Sequence, residues 1–186
     1  MMRRELILVL LFVVGCSSSS TNELKDFYER AKSRDLTILS DITLKPRGVN
    51  EDGSYKIHKI QYNRKKGDPL TIPVFDEETS KEEWLDSTVF DIREFATLKG
   101  MNEESAYLEV KAFSDSVLSL YNYLKVISIE SYPHVGDFNV FQVKSTIQAI
   151  YIEDTSKVYN SSWKTFFKGA KPDAKYWYHR NKEMKN

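Results

Sequence analysis

Ala106, Val110, Phe113, Val117, Leu120, Tyr121 and Leu124 recur at three- and four-residue intervals, while Lys111, Ser114, Asp115 and Ser119 occupy other directions. That is the period of one buried helix face, and it predicts a long amphipathic helix. Asn102 stands where an N-cap is needed, and Glu103 and Glu104 put negative charge in the first turn. A shorter stripe of Leu24, Phe27, Tyr28 and Ala31 predicts a first helix that opens at Asn22 and ends near Ser33. Ser80 with Glu83, and Thr88 with Asp91, show the spacing of a capping box. They predict a short helix and then a second one closed by Gly100 in a left-handed cap.

Elsewhere the pattern shortens towards alternation. Leu36–Leu44 alternates loosely and predicts a strand, stopped by Pro46 and a turn region between Gly48 and Gly53. Tyr55, Ile57, Ile60 and Tyr62 predict a strand whose phase slips between Ile57 and Ile60, through a bulge or through burial on both faces. After the polar turn Arg64-Lys65-Lys66-Gly67-Asp68, Leu70–Phe75 should return antiparallel. Pro69 and Pro73 cannot donate ladder hydrogen bonds, so this return strand belongs at an edge. Beyond the long helix, Val126–Tyr132, Phe138–Ile152, Lys157–Phe167 and Lys175–Arg180 are rich in β-branched and aromatic residues and predict four strands. Phe138–Ile152 is long for one strand and should bend or bulge near Ser145. The expected class is α+β: a long amphipathic helix packed on a curved antiparallel sheet, with an amino-terminal helix and hairpin. At the level of architecture this resembles cystatin-like and NTF2-like folds, although the chain carries no motif of either, so the resemblance implies nothing about function.

The extreme amino terminus has a different pattern. Arg3 and Arg4 precede the nine-residue apolar stretch Leu6–Val14. A membrane-crossing helix needs about 20 apolar residues, so this stretch is too short to span. A basic start, an apolar centre and a small-residue end are the three parts of a secretory signal. Val13-Val14-Gly15-Cys16 closes it, and that tetrapeptide resembles the lipobox of bacterial lipoproteins. The resemblance implies cleavage after residue 15 and a diacylglycerol on Cys16, with the membrane as partner through that lipid. Ser17 stands where an aspartate would, by resemblance to enterobacterial lipoproteins, favour the inner membrane, which points to the outer membrane instead. The alternative is an ordinary signal peptide with a chance cysteine. Cys16 is the only cysteine in the chain, so no intramolecular disulfide accounts for it. The organisation expected is a signal peptide over 1–15, a lipidated cysteine and polar tether over 16–21, and a single α+β domain over 22–186.

Composition narrows the function classes. The 186-residue chain holds 27 Lys and Arg against 27 Asp and Glu. Losing Arg3, Arg4 and Glu5 with the signal leaves a net charge near −1. Nothing in that balance suggests nucleic acid as a partner. The three histidines, His58, His134 and His179, show no metal-ligand spacing, and no phosphate loop or serine-nucleophile signature is present. No metal, cofactor or catalytic residue is therefore expected. The carboxylate clusters Asp76-Glu77-Glu78, Glu82-Glu83 and Glu103-Glu104 sit near predicted helix starts, where they complement the dipole.

The binding candidate is aromatic: Trp163, Phe167, Tyr176, Trp177, Tyr178 and His179, read as one terminal hairpin. Consecutive strand residues face opposite ways, so one large ring should face away from the helix and could stack on a sugar or hold a partner's apolar anchor. The alternative is that the hairpin is packed on both sides. The leading expectation is a non-catalytic, lipid-anchored envelope protein that binds a protein partner or a cell-wall saccharide. The alternatives are an envelope hydrolase with His58 or His179 as base, and an inhibitor or immunity lipoprotein.

Overall fold

The structure is a computed structural model that describes residues 22–74 and 90–181. Cys16 and its lipobox lie outside the described residues, as do the predicted caps Ser80, Glu83 and Thr88. The chain divides into two compact units, 1–35 and 36–186. In the first, helix α1 covers residues 22–32 and its stripe residues Phe27, Tyr28 and Ala31 are buried.

The second unit is α+β, with two antiparallel sheets. Strands β1 (Ile42–Thr43), β2 (Lys59–Tyr62) and β3 (Leu70–Pro73) form the first, in that order. Strand β3 is at its edge, as Pro69 and Pro73 require. Helix α2 (Ile92–Lys99) is capped by the Asp91 carboxylate and closed by Gly100 at φ 67°. Helix α3 (Glu103–Leu124) opens on the Asn102 side chain, which accepts from Ser105 N at 2.8 Å. The predicted stripe faces inward: Ala106, Val110, Phe113, Val117, Tyr121 and Leu124 are buried. Buried Ser114 is the polar exception, and its hydroxyl donates to the Pro73 carbonyl at 3.0 Å, fastening α3 to the sheet edge.

The second sheet is a meander of β4 (Ser128–Ser131), β5 (Asn139–Lys144), β6 (Ile147–Tyr151) and β7 (Trp177–Asn181). Leu44 and Ile129 exchange backbone hydrogen bonds of 2.8 and 3.0 Å, so the two sheets meet edge to edge through one bridge. Between β6 and β7 the chain forms helix α4 (Ser161–Gly169).

Three strand expectations are corrected. Lys157–Phe167 is not a strand: it holds the end of a 3-10 turn, a short link and most of α4. Asn160 caps that helix through Trp163 N at 3.1 Å, and Trp163, Phe166, Phe167 and Ala170 are spaced i, i+3, i+4, i+7. The helical period outweighs the β preference of the aromatics. The supposed terminal hairpin is consequently a helix, a loop and one strand. Leu36–Leu44 contains a 3-10 turn over Thr37–Leu39 and only a two-residue strand, because Asp41 takes a left-handed φ of 64° that breaks the run. Phe138–Ile152 is two strands, reversed at Ser145-Thr146 with a register shift between Gln142 and Lys144.

Helix α4 covers one face of the second sheet. Phe138, Val140, Ile150, Ile152, Val158 and Phe167 form a buried cluster there, flanked by Tyr132, Val135, Trp163, Phe166 and Tyr178. Gly136 makes the approach possible: a Cβ on it would lie 2.7 Å from the Val158 Cα.

Candidate functional site

The six aromatic-end candidates fall into three settings. Trp163, Phe167 and Tyr178 share the α4 face of the sheet. Trp163 packs edge-on against Phe138 at 4.7 Å between ring centroids, and Phe167 meets Tyr178 at 5.1 Å. Phe167 is buried and the other two are half-buried. The Arg180 guanidinium covers the Trp163 ring at 4.7 Å and also donates to Gln148 Oε1, at 2.6 Å from Nη2. Trp177 belongs to the opposite face, buried against Phe141 and Tyr151 at 5.6 and 5.0 Å. Tyr176 is in neither layer.

Tyr176 sits in a tight turn. Trp177 N donates to Ala174 O at 2.9 Å, and Asp173 N donates to Trp177 O at 2.9 Å. Tyr176 is the third residue of that four-residue turn, with φ 70°. A left-handed third residue belongs to type II turns, where glycine is the usual occupant. A bulky side chain there is a backbone outlier, and such strain persists only where the surroundings hold it. The surroundings are visible: His179 Nδ1 lies 2.8 Å from an Asp173 carboxylate oxygen, tying the turn to β7. The Tyr176 ring stands edge-on to Tyr151 at 6.1 Å, Lys175 Nζ lies 4.8 Å from its centre, and 38% of the residue is exposed. His179 thus serves the turn, and it does not line the cleft described next.

Tyr151 joins this turn to a cleft of about 330 Å³. Its base comes from one cross-strand row. Register pairs Ser131 with Asn139, Asn139 with Tyr151 and Tyr151 with Trp177, so the four stand side by side on one face. The first three line the cleft. Its walls carry Asp41, Asp137, Glu153 and Asp154, against Lys65 and Lys157. Lys65 Nζ lies 3.5 Å from Asp137 Oδ2, and Tyr151 donates its hydroxyl to Glu153 at 2.9 Å. Asp41 and Asp137 both have left-handed backbones, at φ 64° and 51°, which aspartate tolerates better than most residues.

Asp41 is held above the ordinary aspartate value of 3.8, first by burial and next by the charge of Asp137, with the charge of Lys65 and then the Tyr62 hydroxyl bond acting the other way. A raised carboxyl means that the folded chain binds the proton more tightly than the unfolded one. Its cost to stability is absent below pH 3.8, grows as pH rises through the folded value and is complete above it. Asp41→Asn keeps an acceptor for Tyr62 and tolerates the left-handed backbone. It should therefore be more stable than the parent at pH 7 and equal to it near pH 3. A pair of thermal melts at those two pH values checks this, and an advantage that persists at pH 3 would contradict the assignment.

Apart from Tyr151, an aromatic just upstream of the terminal cluster, none of these cleft residues was marked by the sequence. Asn139 interrupts an otherwise apolar strand start, Phe138-Asn139-Val140-Phe141, which was the one available signal. Among the described residues, no group of three or more His, Cys, Asp or Glu side chains is placed to hold a metal ion. No helix among them is long and apolar enough to cross a membrane. No family model, curated protein or solved structure matches the chain.

Proposed function

We propose that this chain is a lipid-anchored protein of the bacterial cell envelope whose α+β domain binds a partner without catalysing a reaction. The partner is an envelope protein or a cell-wall saccharide, and the contact surface is the sheet end that carries Tyr151 and Tyr176. The outer membrane is the proposed destination and Cys16 the proposed anchor. The observation that carries the binding reading is Tyr176: a large ring kept in a glycine conformation and left partly exposed. Such an arrangement costs stability where it stands, which favours a role outside the fold. Of the aromatic-end candidates, Tyr176 has the ring best placed for contact, while Trp163, Phe167, Trp177 and Tyr178 pack against the two faces of the second sheet.

Tyr176→Gly tests this. Relief of about 1–3 kcal/mol of backbone strain offsets the lost ring pair, about 0.5–1.5 kcal/mol, and the added unfolded-state freedom of glycine, about 0.5–1 kcal/mol. Stability should therefore stay within about 1 kcal/mol of the parent. Retention of the chain on immobilised envelope material should fall at least tenfold. Undiminished retention would remove Tyr176 from the contact surface and the reading with it.

A further inference from the structure

We propose that the cleft between Asp41 and Asn139 is a subsite for an uncharged sugar ring, an inference that rests on the binding reading above and names the ligand. The decisive residue is Asn139. It is 7% exposed, it lines the cleft, and its side-chain amide has no hydrogen-bond partner among the described residues. A primary amide carries two donor hydrogens and an acceptor oxygen. In this position its open valences face the cleft. The hydroxyl of neighbouring Ser131 is likewise without a partner among the described residues.

The other walls complement that pair. Asp41, Asp137, Glu153 and Asp154 accept hydrogen bonds and donate none while ionised, so they suit a ligand rich in hydroxyl donors. Asn139 and Ser131 can both donate and accept, which matches hydroxyls whose protons are already used. Tyr151 adds a ring against which the C–H face of a pyranose can lie. Four carboxylates outnumber the two ammonium groups, so a sugar bearing an acid group would meet net repulsion. The volume of about 330 Å³ lies within the range of about 300–1,000 Å³ typical of small-molecule sites. Beyond Tyr151, the exposed Tyr176 ring offers a second platform for a following ring of an oligosaccharide.

The test uses the lipidated chain in a non-glycosidic detergent, titrated calorimetrically with maltotetraose, cellotetraose, chitotetraose and the anionic tetragalacturonate. At least one neutral tetrasaccharide should bind, and tetragalacturonate should bind at least tenfold more weakly. Asn139→Leu should abolish that binding and leave the Tm within about 2 °C of the parent, because no hydrogen bond of the fold is lost and the side-chain shape is kept. Ser131→Ala, a smaller change, should weaken binding severalfold without lowering the Tm. A larger fall in Tm for Asn139→Leu would show that the amide serves the fold, and would overturn the proposal. So would equal binding of tetragalacturonate, or the absence of binding by all three neutral sugars. Sugar binding that survives Asn139→Leu but is lost in Tyr176→Gly would overturn the cleft and leave the binding reading intact. Indifference of envelope retention to Tyr176→Gly would instead remove that reading.

Discussion

Cys16→Ala is expected to move the chain from the membrane fraction to the aqueous phase. The apolar stretch Leu6–Val14 has nine residues, about half of what a spanning helix requires, so by itself it is too short for a spanning anchor, and the proposed lipid is what would hold the chain. Fatty chains contribute about 0.8 kcal/mol for each buried CH₂, and two chains convert marginal binding into stable attachment. Loss of the proposed acylation site should thus abolish attachment rather than weaken it. The parent expressed in bacteria should partition into detergent on phase separation, incorporate labelled palmitate, and give a mass spectrum with an amino-terminal acylated cysteine. The variant should do none of these, while its domain keeps the same melting temperature. Continued sedimentation of Cys16→Ala with membranes, or a parent without label, would remove the anchor and the envelope location proposed with it.

What the sequence made legible follows from the range of each interaction. The caps and stripe of α3 are local, set by side chains three and four residues apart, and they are found where the spacing places them. The edge position of β3 follows from two prolines that lack donors. By contrast, α4 was hidden because its aromatics suit strands by composition. The period of Trp163, Phe166 and Phe167 and the Asn160 cap were the better guides. The cleft was hidden for a different reason. The row Ser131, Asn139, Tyr151 and Trp177 exists only because three antiparallel pairings fall into one register. A register shift between Gln142 and Lys144 adjusts one of them, and no local pattern reports it. Tyr176 was visible as an aromatic, but its left-handed turn was not, since tyrosine gives no turn signal of its own.

Phe138→Ala should be strongly destabilising, because Phe138 joins α4 to the strands beneath. It is 2% exposed. Its ring stacks on Tyr132 at 5.1 Å and meets Trp163 and Phe167 edge-on at 4.7 and 5.8 Å. Truncating a buried phenylalanine to alanine costs about 3–5 kcal/mol, from lost transfer energy and the cavity left behind. For a domain of this size that lowers the Tm by about 6–20 °C, at about 2–4 °C for each kcal/mol. Phe138→Leu, which fills more of the space, should cost appreciably less. Phe138 also lines the cleft, directly before Asn139. The weakened packing should therefore reach the ligand site as well: the tryptophan emission, to which Trp163 contributes, should shift to the red, and binding at the proposed sugar site should fall even well below the melting temperature. If the alanine variant lost less than about 1 kcal/mol, well below the range for a buried ring, the packing of α4 onto this sheet would not be what holds the end of the fold that carries the cleft.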